Sequence, residues 1–122
     1  MPIVCIFPSE EFRRQVKRLM KKHKTLLADL AELQQLLLKD PCAGTDLGGG
    51  KHKIRLKVAA KNKGKSGGYR VITYHVIKNE ETVNVYLVTL YDKAEYSSIS
   101  DKYIDQIIRE LSSPSANRPI WG

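Results

Sequence analysis

The residues of this chain that can do chemistry are concentrated in one cationic strand. In residues 53–58 basic and apolar side chains alternate strictly, as Lys-Ile-Arg-Leu-Lys-Val. Strict alternation is typical of a half-buried strand, which packs one face on a core and presents the other to solvent. The solvent face then carries Lys53, Arg55 and Lys57 about 6.5–7 Å apart, a spacing similar to that of phosphates along one nucleic-acid strand. Such a row can match a polyanion rather than a single charged group.

All of the excess positive charge of the chain lies in residues 51–70. This segment holds eight Lys or Arg and no Asp or Glu, whereas the rest of the chain has 13 basic and 13 acidic residues. The net charge of +8 and the pI near 9.6 favour nucleic acid or another polyanion as a partner, an acidic protein included. The plain alternative is a solvated strand face whose lysines discourage edge-to-edge association. Such faces usually mix both signs of charge, however.

A glycine-rich loop after the strand adds further cations. Its Gly64-Lys65-Ser66 is similar to the end of a phosphate-binding loop, but that motif needs a glycine where Ala59 stands and a helix where Tyr69 begins a strand-like run. We therefore exclude an NTPase. Gly67-Gly68 fits either a turn that needs positive φ or a flexible loop approaching a phosphate backbone. We expect the loop and flanking lysines to attract RNA or ribosome, namely Lys51, Lys57, Lys61, Lys63 and Lys65.

The spacing of the histidines and cysteines predicts no metal site and no cofactor. His23, His52 and His75 lack metal-ligand spacing, and no cysteine or acidic pair joins them in the sequence. We expect His75 to be structural, in a core-like strand, and His52 to border the basic row. Two cysteines without a CxxC motif, together with the lack of a signal peptide or a long apolar run, favour a cytoplasmic protein that does not use a membrane.

The periodicity of apolar residues predicts a single α+β domain over residues 1–122, in the order β-α-α-β-β-β-α. An apolar run at 3–7 predicts the first strand, and a leucine stripe from about 9 to 39 predicts a helical pair with a break near 22–25. The glycines of residues 40–50 predict a loop.

The same patterns predict three strands and a helix in the second half of the chain. The basic strand precedes two central strands at 69–77 and 83–91, which a turn at 79–81 joins. A last helix begins at Ser100, whose hydroxyl is a suitable cap. We expect the Ser- and Pro-rich tail, residues 112–122, to be mobile, with Trp121 as a possible anchor.

Several motifs of this chain resemble one known family. They are Lys53-Ile-Arg-Leu-Lys, Gly64-Lys-Ser-Gly-Gly-Tyr-Arg-Val-Ile-Thr-Tyr74, Val85-Tyr-Leu-Val-Thr-Leu-Tyr-Asp-Lys93 and Ser98-Ile-Ser100. These strings are similar to the RelE/ParE superfamily of type II toxin–antitoxin systems, with the RelE-like HigB toxins as the most similar branch. The resemblance extends from residue 12 to residue 111. It implies a small twisted antiparallel β-sheet with an N-terminal helical hairpin on one face and a C-terminal helix.

The resemblance also implies an activity, partners and a set of site residues. The activity is ribosome-dependent cleavage of mRNA in the A site by a metal-independent endoribonuclease, which inhibits translation. The partners are the ribosome and a cognate antitoxin, which we expect to carry a helix-turn-helix domain and to bind operator DNA on behalf of the complex. The family's catalytic cations fall on Lys53, Arg55, Arg70 and Lys93. Its C-terminal tyrosine falls on Ile99, with Tyr91 and Tyr96 as alternatives, and Tyr91 is also a candidate RNA contact.

Two other functions stay open on the sequence alone. One is a ParE-like protein that binds and inhibits DNA gyrase, and the other is a non-catalytic RNA-binding module. Members of the superfamily that poison gyrase tend to lack the cationic set, so its presence favours RNA cleavage. The expected reaction is attack of a ribose 2′-hydroxyl on the adjacent phosphate, in which the substrate supplies its own nucleophile. With no apparent histidine or carboxylate base, a lysine is the expected proton acceptor.

Overall fold

A five-stranded sheet carries two helices on one face and a third helix on the other. The computed structural model describes residues 3–57 and 68–112. The strands are β1 (Ile3–Pro8), β2 (Thr45–Gly48), β3 (Lys51–Leu56), β4 (Tyr69–Ile77) and β5 (Thr82–Asp92). The helices are α1 (Glu10–Met20), α2 (Leu26–Lys39) and α3 (Asp101–Arg109), and a 3-10 turn follows at Glu110–Ser112. None of the helices in these two stretches has the length and apolar character needed to span a bilayer.

The strand order β1-β5-β4-β3-β2 corrects two expectations. The sheet is mixed rather than antiparallel, because β1 runs parallel to β5 while the other neighbouring pairs are antiparallel. Parallel neighbours require a long crossover, and the α1–α2 pair lies in the connection that leaves β1. The predicted loop at 40–50 contains a short strand, β2, which pairs with β3 at the edge of the sheet.

Ser9 joins α1 to the centre of the sheet. Its hydroxyl oxygen accepts a hydrogen bond from the Phe12 backbone N–H at 2.9 Å and so caps the helix. The same hydroxyl donates to the carbonyl oxygen of Val88 at 2.6 Å. Val88 is the extra residue of a β-bulge, since Ile72 pairs with Thr89 and Thr73 pairs with Leu87. Ser9 therefore provides a hydrogen-bond partner to one backbone group at the start of α1 and to one at the bulge in β5.

Two apolar clusters lie on the two faces of the sheet. The larger one joins α1 and α2 to the strands through Phe12, Leu19, Leu26, Leu30, Leu37, Ile54, Val71, Val85 and Leu87, among others. The smaller one packs α3 on the opposite face through Ile72, Val88, Tyr91, Ile104 and Ile107. Because β4 and β5 contribute to both clusters, their apolar residues occupy both faces, as predicted for central strands.

Most of the predicted elements are confirmed. The helical pair breaks between residues 20 and 26, β4 has the predicted bounds, and Ser100 caps α3 by accepting from the Tyr103 backbone N–H. The β4–β5 turn closes through a 2.9 Å hydrogen bond from the Lys78 N–H to the Thr82 carbonyl. The expected tail, with Trp121, lies outside the described residues apart from Ser112.

Candidate active site

Strand β3 presents its cations on the face of the sheet that α3 shares. Ile54 and Leu56 are 5% and 7% exposed and belong to the larger cluster under α1 and α2. Side chains of a strand point alternately to opposite faces, so Lys53 and Arg55 lie on the other face. Arg55 is exposed and Lys53 is half-buried. The predicted alternation is confirmed over the length of β3.

The strand register brings Arg55, Arg70 and Tyr91 side by side. Arg55 pairs with Arg70 across β3 and β4, and Arg70 pairs with Tyr91 across β4 and β5. Directly opposed residues of an antiparallel pair have Cβ atoms about 4.5–5.5 Å apart, and like charges in that position are destabilising. Two cations in paired positions repel each other, and a pair of this kind is a candidate site for binding an anion.

Arg70 and Tyr91 are nearly buried. Arg70 is 6% exposed, and its guanidinium donates to the carbonyl oxygen of Tyr69 at 3.2 Å. Tyr91 is 4% exposed and packs in the smaller cluster with Ile104 and Ile107 of α3. Burial raises the pKa of the Tyr91 phenol, and the positive charge of Arg70 acts in the opposite direction. Of the two opposed arginines, Arg55 is the one open to solvent.

The remaining candidate cations have different surroundings. Lys93 directly follows β5, where its N–H donates to the Gly68 carbonyl and its Nζ donates to the Ser97 carbonyl at 2.7 Å. Lys51 forms an ion pair with Asp105 of α3 at 3.0 Å. Lys57 is exposed just after β3. Lys61, Lys63 and Lys65 lie outside the described residues, so their predicted contacts stay predictions.

A cleft of about 280 Å³ opens beside Tyr91, between α1 and the segment that leads into α3. Its walls include Tyr96, which is 53% exposed, and Ile99, which packs against the smaller cluster. Across the cleft, the Tyr103 hydroxyl donates to the Glu11 carboxylate at 2.5 Å. Burial, and then this hydrogen bond, raise the pKa of Tyr103 to about 12.

Three polar residues near the cations were not foreseen from the sequence. Asp105 neutralises Lys51, while Glu11 and Tyr103 link α1 to α3. None of them stands in a motif, and both contacts join residues more than fifty positions apart. A single sequence carries no signal for such pairs, because they depend on how α3 packs.

The register thus places three polar side chains from three strands on one candidate surface for binding an anion. Arg55 offers an exposed guanidinium, Arg70 a nearly buried one and Tyr91 a phenol on the same face. Guanidinium groups donate several hydrogen bonds in a planar array that matches phosphate oxygens. His52 alternates with Lys51 and Lys53 and therefore lies on the opposite face, so it does not approach this surface.

The chain matches the sequence model of a known protein family. Residues 5–117 match the sequence model of a family described as the RelE toxin of the RelE/RelB toxin–antitoxin system. The matched region extends from β1 to beyond α3 and includes every strand that contributes to the cationic surface.

Proposed function

This chain belongs to the RelE toxin family, and from that premise we propose that it is an endoribonuclease that cleaves mRNA in the ribosomal A site and so stops translation. The observation that carries the proposal is the pairing of the exposed Arg55 with the nearly buried Arg70 on one face of the sheet. Two opposed cations are unfavourable for folding alone, whereas a phosphate between them relieves the repulsion.

The proposed chemistry uses a nucleophile that belongs to the substrate. The 2′-oxygen of the ribose forms a bond to the adjacent phosphorus, and the bond from phosphorus to the 5′-oxygen of the next nucleotide breaks. The products are a 2′,3′-cyclic phosphate and a 5′-hydroxyl. One proton leaves the 2′-hydroxyl and one reaches the 5′-oxygen. Arg55 and Arg70 stabilise the charge that builds on the non-bridging phosphate oxygens.

Lys53 is the proton acceptor in this proposal. It lies two residues from Arg55 on the same face of β3, about 6.5–7 Å away along the strand. Lys93 follows Tyr91 by two residues, and its Nζ must leave the Ser97 carbonyl to reach a substrate. A site whose base is a lysine is a weak nuclease by itself, so we propose that ribosomal RNA orients the message in it.

Membership in a family of toxin–antitoxin systems implies a cognate antitoxin. We propose that the antitoxin is acidic where it meets this chain and that it covers the cationic face or blocks entry to the ribosome. It carries the helix-turn-helix that binds operator DNA, and the toxin adds little to that binding.

The test compares one mRNA in two forms, either placed on ribosomes with an occupied P site or free in solution. We expect single-turnover cleavage of the ribosome-bound message at the A-site codon, with 2′,3′-cyclic phosphate ends, and an intact free message over the same time. Equal cleavage of both forms contradicts the dependence on ribosomes. RNA binding without cleavage in either form contradicts the proposal and favours a plain RNA-binding module.

A further inference from the structure

A cysteine and two histidines meet on the face of the sheet opposite the cations. Each of Cys42, His52 and His75 offers one ligand atom, and these atoms all lie within 4.8 Å of one another. The Cys42 sulfur is 3.7 Å from Nε2 and 3.9 Å from Nδ1 of His75. The two imidazole rings have centroids 5.4 Å apart.

The fold holds the three residues together from separate elements. His52 of β3 pairs with Thr73 of β4, so His75, two residues further along β4, lies diagonally across from His52 on the same face. Cys42 lies in the turn after α2, where its N–H donates to the Asp40 carboxylate at 3.1 Å. Gly44 keeps this turn against β3, because a Cβ there would collide with the Lys53 carbonyl oxygen.

His52 provides the observation that points to a ligand. It is 6% exposed, and its Nδ1 is buried without a hydrogen-bond partner among the residues that the structure describes. Buried polar nitrogens are nearly always paired, so an unpaired one beside a thiol and a second imidazole needs an explanation. A metal ion bound by the imidazole lone pair supplies it.

The surrounding charge also suits a cation. The Asp40 carboxylate accepts a hydrogen bond from the Cys42 N–H at 3.1 Å, so a negative charge lies beside the proposed ligand. A charge of this sign attracts a metal ion. Asp46 pairs directly with His52 across β2 and β3.

We propose that Cys42, His52 and His75 form a binding site for a divalent metal ion of the zinc class. One thiolate and two imidazoles are ligands that Zn²⁺ prefers, and the fourth tetrahedral position is left for a water molecule. On binding, the Cys42 thiol releases its proton to solvent and both imidazoles bind in their neutral form. No electron is transferred in this step.

The observed distances are close to those of a formed site. Ligand atoms of a tetrahedral zinc site are about 3.3–3.6 Å apart, given bond lengths of about 2.0–2.3 Å. The Cys42–His75 distance already approaches this range, and the largest separation must shorten by about 1 Å. Cys42 is exposed and His75 is half-buried, so rotation of their side chains achieves the change. The ion then ties the turn after α2 to β3 and β4, behind the sheet rather than among the cations.

The test uses untagged protein that has been freed of metal by a chelator and is titrated with Zn²⁺ in a calorimeter. We expect the wild type to bind one equivalent and to melt at a higher temperature when Zn²⁺ is present. Loss of a residue that only supports a metal ligand costs about 10–100-fold in affinity. Cys42→Ser removes a proposed ligand itself, so it should bind Zn²⁺ at least about a hundredfold more weakly. His75→Gln should behave in the same way.

The matched control is Cys5→Ser, which removes the other free cysteine, on β1. It should bind Zn²⁺ as the wild type does. Co²⁺ should give a thiolate-to-cobalt charge-transfer band in the wild type and in Cys5→Ser but not in Cys42→Ser. The proposal is overturned if the folded Cys42→Ser variant binds Zn²⁺ as tightly as the wild type. It is also overturned if the wild type binds none at micromolar concentrations.

Discussion

The two opposed arginines differ in what their side chains are free to do. Arg70 is nearly buried and bonded to a backbone carbonyl, which holds its charge in a constant position. Arg55 is exposed, and it can reach toward a bound phosphate. A preorganised charge acts without reorganisation at the moment of reaction, so Arg70 is suited to that role. Arg55 supplies the second charge without contributing to the core.

Arg55 is therefore the better position at which to test the chemistry. Arg55→Ala should lower the single-turnover rate of mRNA cleavage on saturating ribosomes about a hundredfold to a thousandfold, since it removes a charge that acts mainly on the transition state. Its free energy of unfolding should stay the same or rise by up to about 1 kcal/mol, because the exposed side chain adds nothing to the core and its loss relieves the repulsion from Arg70. Rapid-quench cleavage and urea unfolding measure the two effects.

Lys78→Ala is the matched control for that substitution. Lys78 is an exposed cation in the β4–β5 turn, at the end of β4 away from Arg70, and its loss changes the net charge by the same amount. It should leave the chemical step intact. Wild-type cleavage by Arg55→Ala would show that the assignment of the site to the β3–β4 pair is wrong.

At the scale of elements, Ser9 joins α1 to the bulge in β5. Ser9 is 3% exposed. Its hydroxyl accepts a hydrogen bond that caps α1 and donates one to the carbonyl oxygen of the bulge residue Val88. The extra residue at the bulge interrupts the alternation of side chains between the two faces of β5. As a result Val88 and Tyr91 both face α3, while Leu87 and Leu90 face the helical pair. The orientation of Tyr91 beside Arg70 thus depends on a serine at the other end of the chain.

Ser9→Ala should destabilise the protein more than the loss of an ordinary cap. Loss of a cap costs about 1 kcal/mol, and leaving the Val88 carbonyl buried without a partner adds about 1–3 kcal/mol. Ser100→Ala, which removes the exposed cap of α3, should cost only about 0.5–1 kcal/mol. Urea unfolding of the two variants measures the difference, and equal losses would contradict the dual role of Ser9.

At the scale of the whole molecule, the excess positive charge lies in one stretch of the sequence. Residues 51–70 carry the net charge of +8, while the remaining chain is balanced. Field lines from such a segment attract a polyanion such as ribosomal RNA and accelerate its encounter with the protein.

Expression of the chain without an antitoxin should stop translation before it stops DNA replication. The proposed target is mRNA, so incorporation of labelled methionine into growing cells should fall first and incorporation of labelled thymidine later. Arg55→Ala, produced at the same level, should leave both rates near those of uninduced cells. An early fall in thymidine incorporation would instead favour inhibition of gyrase.

Local sequence patterns predicted much of the secondary structure of this protein. Alternation in β3 predicted which cations share a face, and three- and four-residue spacing predicted both halves of the helical pair. The cap at Ser100 was predictable because it depends on the residues immediately after it. These signals have periods of two to four residues, so a single sequence contains them in full.

Only the tertiary structure decided how those elements meet. The parallel pairing of β1 with β5 joins residues about eighty positions apart. The pairing of Arg55 with Arg70 depends on the register between β3 and β4, and the two strands are not joined by a two-residue turn that would set it. The same holds for the burial of Tyr91 under α3 and for the meeting of Cys42 with His52 and His75. Contacts of this kind arise from packing the apolar faces of distant segments, and spacing along the chain does not encode them.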